Sequence, residues 1–141
     1  MKKLFVICGL ITGSLFFSQE LNDQMKGMLQ YDNIEEFGKY VKKEDVNKCF
    51  IVKGESYSLL AISIKLGSEK FFQKLIEEKA DLDLICDNKS PLMFAAKYGK
   101  AHFAKTLLQN GADKMLKSTK GQTALDYAKK YEQTEMVEIL K

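Results

Sequence analysis

The stretch SPLMFAAKYG, Ser90 to Gly99, recurs in altered form as SLLAISIKLG, Ser58 to Gly67, and as TALDYAKKYE, Thr123 to Glu132. The copies start 32 and then 33 residues apart (58 to 90 to 123), and a fixed period of this size marks a stacked array of small units. Leu60, Leu92 and Leu125 fall in one column and Ser63, Ala95 and Ala128 in another, and small residues recur where helices approach closely. About seven residues after each copy comes an apolar stripe with helical spacing: Phe71, Phe72, Leu75 and Ile76, then Phe103, Ala104, Leu107 and Leu108, then Met136, Val137, Ile139 and Leu140.

Each unit therefore reads as helix, short turn, helix. The exit is marked by Lys79-Ala80-Asp81 in one unit and by Asn110-Gly111-Ala112-Asp113 in the next, where a residue in the left-handed conformation ends the second helix. Ser58, Ser90 and Thr123 stand where a hydroxyl caps free backbone N–H groups, worth about 1 kcal/mol each. Pro91 suits the first turn of its helix, where its missing N–H has no partner to lose; Leu59 and Ala124 hold that place in the other units.

On these residues the chain resembles the ankyrin-repeat family. Ser90-Pro91-Leu92-Met93-Phe94-Ala95 is the nearest copy of its signature, and Lys120-Gly121-Gln122-Thr123-Ala124-Leu125-Asp126 is similar to the form that closes such arrays. The resemblance implies an all-α solenoid of stacked helix-turn-helix units with short connecting loops, with units at 54–86, 87–119 and 120–141, the last a C-terminal cap. Residues 21–53 fit more loosely and read as a degenerate N-terminal cap unit. In it Leu21, Met25, Met28 and Leu29 line one face of a first helix, and Ile34, Phe37 and Val41 point inward from a second. Atypical terminal repeats are normal because one face meets water. The family's signature His is replaced by Ala61, Met93 and Asp126, so the imidazole bonds that usually tie neighbouring loops are missing. Leu60, Leu92 and Leu125 are the columns where one polar substitution is expected to unfold the array, since each buried Leu contributes roughly 1.5–3 kcal/mol.

The N-terminus reads differently. Lys2 and Lys3 precede an apolar stretch from Leu4 to Phe17, and polar sequence begins at Gln19, after Ser18. A charged start, a core too short to span a bilayer and a small residue before the change form the layout of a secretory signal peptide over residues 1–18. Phe16 departs from the usual small-residue pattern, and a buried N-terminal helix is the competing reading. Cys8 lies in the apolar core without a lipid-anchor context and leaves with the peptide. Export places the ankyrin domain, residues 19–141, in the periplasm or outside the cell, with no membrane insertion after cleavage. Residues 1–18 carry two of the 22 basic residues, so the remaining 123 residues (141 minus 18) have a formal charge of 20 minus 19, or +1. Every basic residue is Lys. Without Arg, the usual bidentate reader of guanine and clamp of phosphate, a nucleic-acid partner is not indicated.

Catalytic chemistry finds few groups. The one histidine, His102, falls on the outer side of a second helix, so neither a triad nor a histidine metal cluster is available. Glu35, Glu36, Glu77 and Glu78 occur as adjacent pairs that point apart on a helix and read as solvated faces. No phosphate loop, CxxC or HExxH is present, and no enzyme activity, cofactor or metal is expected. Cys49 and Cys86 lie in successive connecting loops. Equivalent points in stacked units are too far apart for a bond that needs a Cα separation of about 4.4–6.8 Å, so two unpaired thiols are favoured over a bridge, which would need the first loop to fold back.

The resemblance also implies where a partner sits: on loop tips and on the exposed ends of first helices, which line a concave face. Position by position this selects Lys65, Leu66, Lys97, Tyr98, Lys130 and Tyr131 from the helices, and Glu55, Tyr57, Asp87, Lys89, Lys120 and Gln122 from the loops. The helix positions make a rail of Lys beside a rail of Leu, Tyr and Tyr. Aromatic residues bring contact area at low entropy cost and clustered Lys steers acidic partners. The competing reading packs the tyrosines against neighbouring loops and leaves the lysines as solubilising charge. The function implied is an exported, monomeric, non-catalytic module that binds a protein with an acidic surface, as an inhibitor or immunity-type protein or as a scaffold. The alternative class is a redox or oxidative-stress role carried by Cys49 and Cys86, with the six methionines as oxidisable bystanders.

Overall fold

The computed structural model describes residues 19–141; the leader expected over 1–18 lies outside them. In chain order come β1 (Gln19–Glu20), α1 (Asp23–Tyr31), α2 (Phe37–Tyr40), β2 (Cys49–Val52) and β3 (Glu55–Ser58). Three helix pairs follow: α3 (Leu59–Leu66) with α4 (Glu69–Glu77), α5 (Pro91–Tyr98) with α6 (Ala101–Gln109), and α7 (Ala124–Lys130) with α8 (Thr134–Leu140). First helices pack side by side, α3 on α5 and α5 on α7, while α6 lies against α8 in the second layer.

The N-caps work as read, and Lys79 and Gly111 leave α4 and α6 in the left-handed region, with φ of 60° and 97°. The hydroxyls of Ser58, Ser90 and Thr123 accept from the N–H groups of Ala61, Met93 and Asp126 at 3.1, 3.4 and 3.3 Å. Gly67 and Gly99 end α3 and α5 in the left-handed region, with φ of 73° and 65°. Ser63, Ala95 and Ala128 are fully buried, which lets the first helices approach. The second helices bury Phe71, Phe72, Leu75, Phe103, Ala104, Leu107, Met136 and Leu140. Aromatic edges lock one unit to the next, with ring centroids 5.1 Å apart for Phe37 and Phe71 and 4.9 Å apart for Phe72 and Phe103.

Polar ties also cross between units. The Asp32 carboxylate, at the left-handed C-cap of α1, accepts from Lys70 N and Phe71 N at 3.0 and 2.9 Å. It thereby caps α4, whose own N-cap Ser68 makes no side-chain cap bond and instead bonds its hydroxyl to the Leu29 carbonyl. Along the exit turns Asn47 Oδ1 accepts from Asp81 N at 2.7 Å, and Asp83 Oδ1 from Asp113 N at 3.0 Å.

The fold departs from the expected all-α solenoid in its first connection. β2 and β3 form an antiparallel hairpin, and β1 adds in parallel along Phe50 and Ile51. The hairpin closes through Lys53-Gly54, both at positive φ (52° and 82°), as a two-residue turn matching strand twist demands. Later connections keep only the turn: a single bridge between Cys86 and Lys89, then a Ser118 N to Gln122 O bond of 2.8 Å. In the N-terminal unit the second helix is one turn long, so Ile34 precedes it and stays 36% exposed, while Phe37 and Val41 are buried as expected. Leu125 is only partly buried, because α7 belongs to the last unit described and has no further first helix on that side; Leu60 and Leu92 are fully buried.

The cysteines depart as well. Cys49 and Cys86 are joined in a disulfide with a Cα separation of 5.8 Å, where two free thiols were expected. The hairpin is the reason: Cys49 opens β2, and the folded-back strands carry it across to the turn that holds Cys86. This bond and a Thr119 hydroxyl to Asn88 side-chain bond tie neighbouring loops without the signature His. The residues in the signature place serve their own helix instead, as Asp126 Oδ2 accepts from Thr123 N at 2.8 Å and Met93 Sδ from Ser90 N at 3.4 Å.

Candidate functional site

The first helices end on one face of the stack, and each contributes a Lys followed by an apolar or aromatic residue just before the helix turns. The two expected rails do not run separately. The Lys65 ammonium lies 4.8 Å from the Tyr57 ring and 6.0 Å from Tyr98; Lys97 lies 5.3 Å from both Tyr98 and Tyr131; Lys130 lies 5.7 Å from Tyr131. Cation and ring thus alternate in one ladder across three units, within the roughly 6 Å over which a ring face attracts a cation.

Beneath the ladder the rings are braced. Tyr98 stacks on Phe94 at 6.4 Å and 9°, and Tyr131 on Tyr127 at 6.5 Å and 8°. Both pairs are spaced i, i+4 on one helix, a signal present in the sequence at Phe94 and Tyr127 that the motif columns alone did not single out. Bracing fixes the rings at little entropic cost while Tyr131 remains 39% exposed. Leu66 takes the ring's place in the first of these units and is 54% exposed.

Tyr57 is not a surface residue. It is 3% exposed, packs on Phe94 at 5.2 Å and sends its hydroxyl to the Glu55 carboxylate, because alternation along β3 turns it toward the core side. Lys65 Nζ donates to the same hydroxyl at 3.1 Å. The Tyr57 hydrogen bond, aided by the charges of Lys65, Lys89 and Lys97, holds the Glu55 carboxyl below the usual glutamate range. Burial and the Glu55 bond push the Tyr57 phenol up, and the Tyr57 bond pushes the Lys65 ammonium up.

The structure therefore gathers Glu55, Tyr57, Lys65, Lys89, Lys97 and Tyr98 into one charged and aromatic cluster, with Tyr131 and Lys130 continuing it. Lys89 places its ammonium 5.4 Å from the Phe94 ring and bonds the Asp87 carbonyl at 3.4 Å. Asp87 and Lys120 are exposed tips, and Gln122 spends its carbonyl on Ser118, so these three make no contact with the ladder among the described interactions. His102 lies exposed in the first turn of α6, in the second helix layer, 2.5 Å from Glu69 Oε1. Among the described residues no cluster of His, Cys, Asp and Glu could hold a metal ion, and no helix is long and apolar enough to cross a membrane.

Ankyrin repeats, in three copies, match residues 33–141. The chain is 32% identical over 90 residues to the mouse (Mus musculus) ankyrin repeat and SAM domain-containing protein 6, covering 62% of this chain and 10% of that protein. It is 35% identical over 69 residues to an ankyrin repeat-containing protein of Treponema pallidum (strain Nichols), covering 48% of this chain and 23% of that one. The chain thus spans a tenth and under a quarter of these relatives' lengths. Ankyrin repeats are generally protein–protein interaction modules. With the match running through the three helix pairs α3 to α8 of the stack, this chain belongs to the ankyrin-repeat family.

Proposed function

We propose that the chain is an exported, monomeric, non-catalytic module that holds an acidic protein surface against its concave face. The observation that carries this reading is the ladder Lys65–Tyr98–Lys97–Tyr131–Lys130. Among the described residues none of its three ammonium groups has a carboxylate within 4.0 Å, and unlike other unpaired lysines such as Lys70 and Lys100 each lies within 6.0 Å of a tyrosine ring. Unpaired cations held between braced rings offer charge and contact area together, which suits Asp and Glu side chains of a protein partner. Export is supported by the layout of residues 1–18 and by the Cys49–Cys86 bond, since disulfides persist in oxidising compartments. An inhibitor or immunity-type role and a scaffold role would both use this face. The cysteine pair serves this reading as a tie, and a redox role would have to start from the bridge.

The test is capture from the native envelope fraction with the wild-type chain and with the Lys65→Glu/Lys97→Glu/Lys130→Glu variant. A protein retained by the wild type, released by salt and lost by the variant supports the reading. Equal retention by both, with the variant folded, contradicts it.

A further inference from the structure

Resting on that reading, we propose that the hollow between α1, the β2–β3 turn and α3 seats one apolar anchor side chain of the partner, with an acidic residue beside it. The hollow has a volume of about 430 Å³, within the range of about 300–1,000 Å³ typical of ligand pockets. Val52, Ile62 and Leu66 line it as apolar surface, and Lys26, Lys53 and Lys65 line it as charge. No carboxylate is among its lining residues.

Three facts choose the occupant. Leu66 stands in the column that holds Tyr98 and Tyr131 in the next units, so a small branched side chain leaves room where rings fill the face further along. Lys26 is engaged with Asp23 at 3.1 Å, but Lys53 and Lys65 have no carboxylate within 4.0 Å among the described residues, so charge complementarity asks for an anion next to an apolar group. Lys65 belongs both to the hollow and to the ladder, so a chain anchored here runs on toward Tyr98 and Lys97; a peptide fits that continuity better than a free amphiphile. The wall is fixed in advance, because Lys53 sits in the tight turn of a hairpin whose first residue is bridged to Cys86.

The chain contains no Trp, so the emission of a tryptophan peptide reports only on the peptide. The probe is the acetylated and amidated pentapeptide Asp-Glu-Trp-Glu-Asp, titrated with the purified protein. The expected result is a saturable blue shift, with Kd raised at least about tenfold by Leu66→Glu and by Lys53→Glu and unchanged by Met115→Ala, an exposed residue away from both the hollow and the ladder, all variants being folded by circular dichroism. The proposal is overturned by no saturable shift, by an equal shift with Lys-Lys-Trp-Lys-Lys, by a Leu66→Glu Kd equal to wild type, or by sodium decanoate binding more tightly than the peptide. If the peptide fails while envelope capture still depends on the three ladder lysines, the hollow assignment falls and the wider reading stands.

Discussion

Breaking the Cys49–Cys86 bond tests how much of the array depends on its first connection. The bond closes a loop across a sequence separation of 37, and cross-linking a loop of that length lowers the unfolded chain's entropy by an amount worth about 4 kcal/mol at 25 °C. For a domain of this size that corresponds to a fall in Tm of roughly 15 °C. Because both thiols are engaged and the hydrophobic stack of α3 to α8 is independent of them, the reduced protein is expected to fold, with hairpin and N-terminal unit loosened first. The assay is guanidinium unfolding of the oxidised protein, the protein in dithiothreitol, and the Cys49→Ser/Cys86→Ser variant. The reduced and double-serine forms are expected to agree with each other and to lie well below the oxidised form. Identical midpoints for all three, or two alkylatable thiols in the natively oxidised protein, would refute the reasoning.

Three further perturbations act on separate parts of the chain. Glu132 occupies the left-handed position (φ 55°) that Gly67 and Gly99 hold in the preceding units, so Glu132→Gly is expected to raise stability by about 0.5–1 kcal/mol in thermal unfolding. Asp32→Ala removes the cap that unit one lends to α4 and is expected to cost about 1–2 kcal/mol, with Asp32→Asn costing less because it keeps an acceptor and tolerates positive φ; equal values for the two would count against the cross-unit cap. Glu55 is depressed mainly by the Tyr57 hydrogen bond, so its contribution to stability is present above the ordinary glutamate range and lost as pH falls through its lowered value. Tyr57→Phe should move the Glu55 titration, followed by carboxyl NMR, back up toward the ordinary range, and an unmoved titration would assign the shift to the lysines instead.

Much of the helical frame is legible in the sequence because its causes are local and repeated. A hydroxyl at the N-cap of each first helix, a small residue at Ser63, Ala95 and Ala128, and a left-handed residue at the exits of α4 and α6 (Lys79 and Gly111) recur at fixed offsets, and the structure uses each as read. The hairpin is harder, since Lys53-Gly54 carries only half of the usual two-residue turn signal and the strand pairing is non-local. Missing the hairpin hides the disulfide, because the distance between Cys49 and Cys86 is set by the fold-back rather than by the repeat period. It hides the burial of Tyr57 for the same reason, as that depends on which side of β3 meets Phe94. Ile34 misleads because its spacing to Phe37 looks helical while the helix starts only at Phe37. On the ladder side the positions Lys65, Lys97, Lys130, Tyr98 and Tyr131 are readable one by one, whereas their interleaving depends on side-chain directions between adjacent units.

The central claim is that the partner meets the ladder side of the stack. Photo-crosslinking in the native cell tests this most directly, with a benzophenone side chain placed at Tyr131 or Leu66 on the ladder side and at His102 in the second helix layer. The account predicts one discrete adduct from the two ladder positions and none from His102. An adduct from His102 alone, or equal adducts from all three, would contradict it.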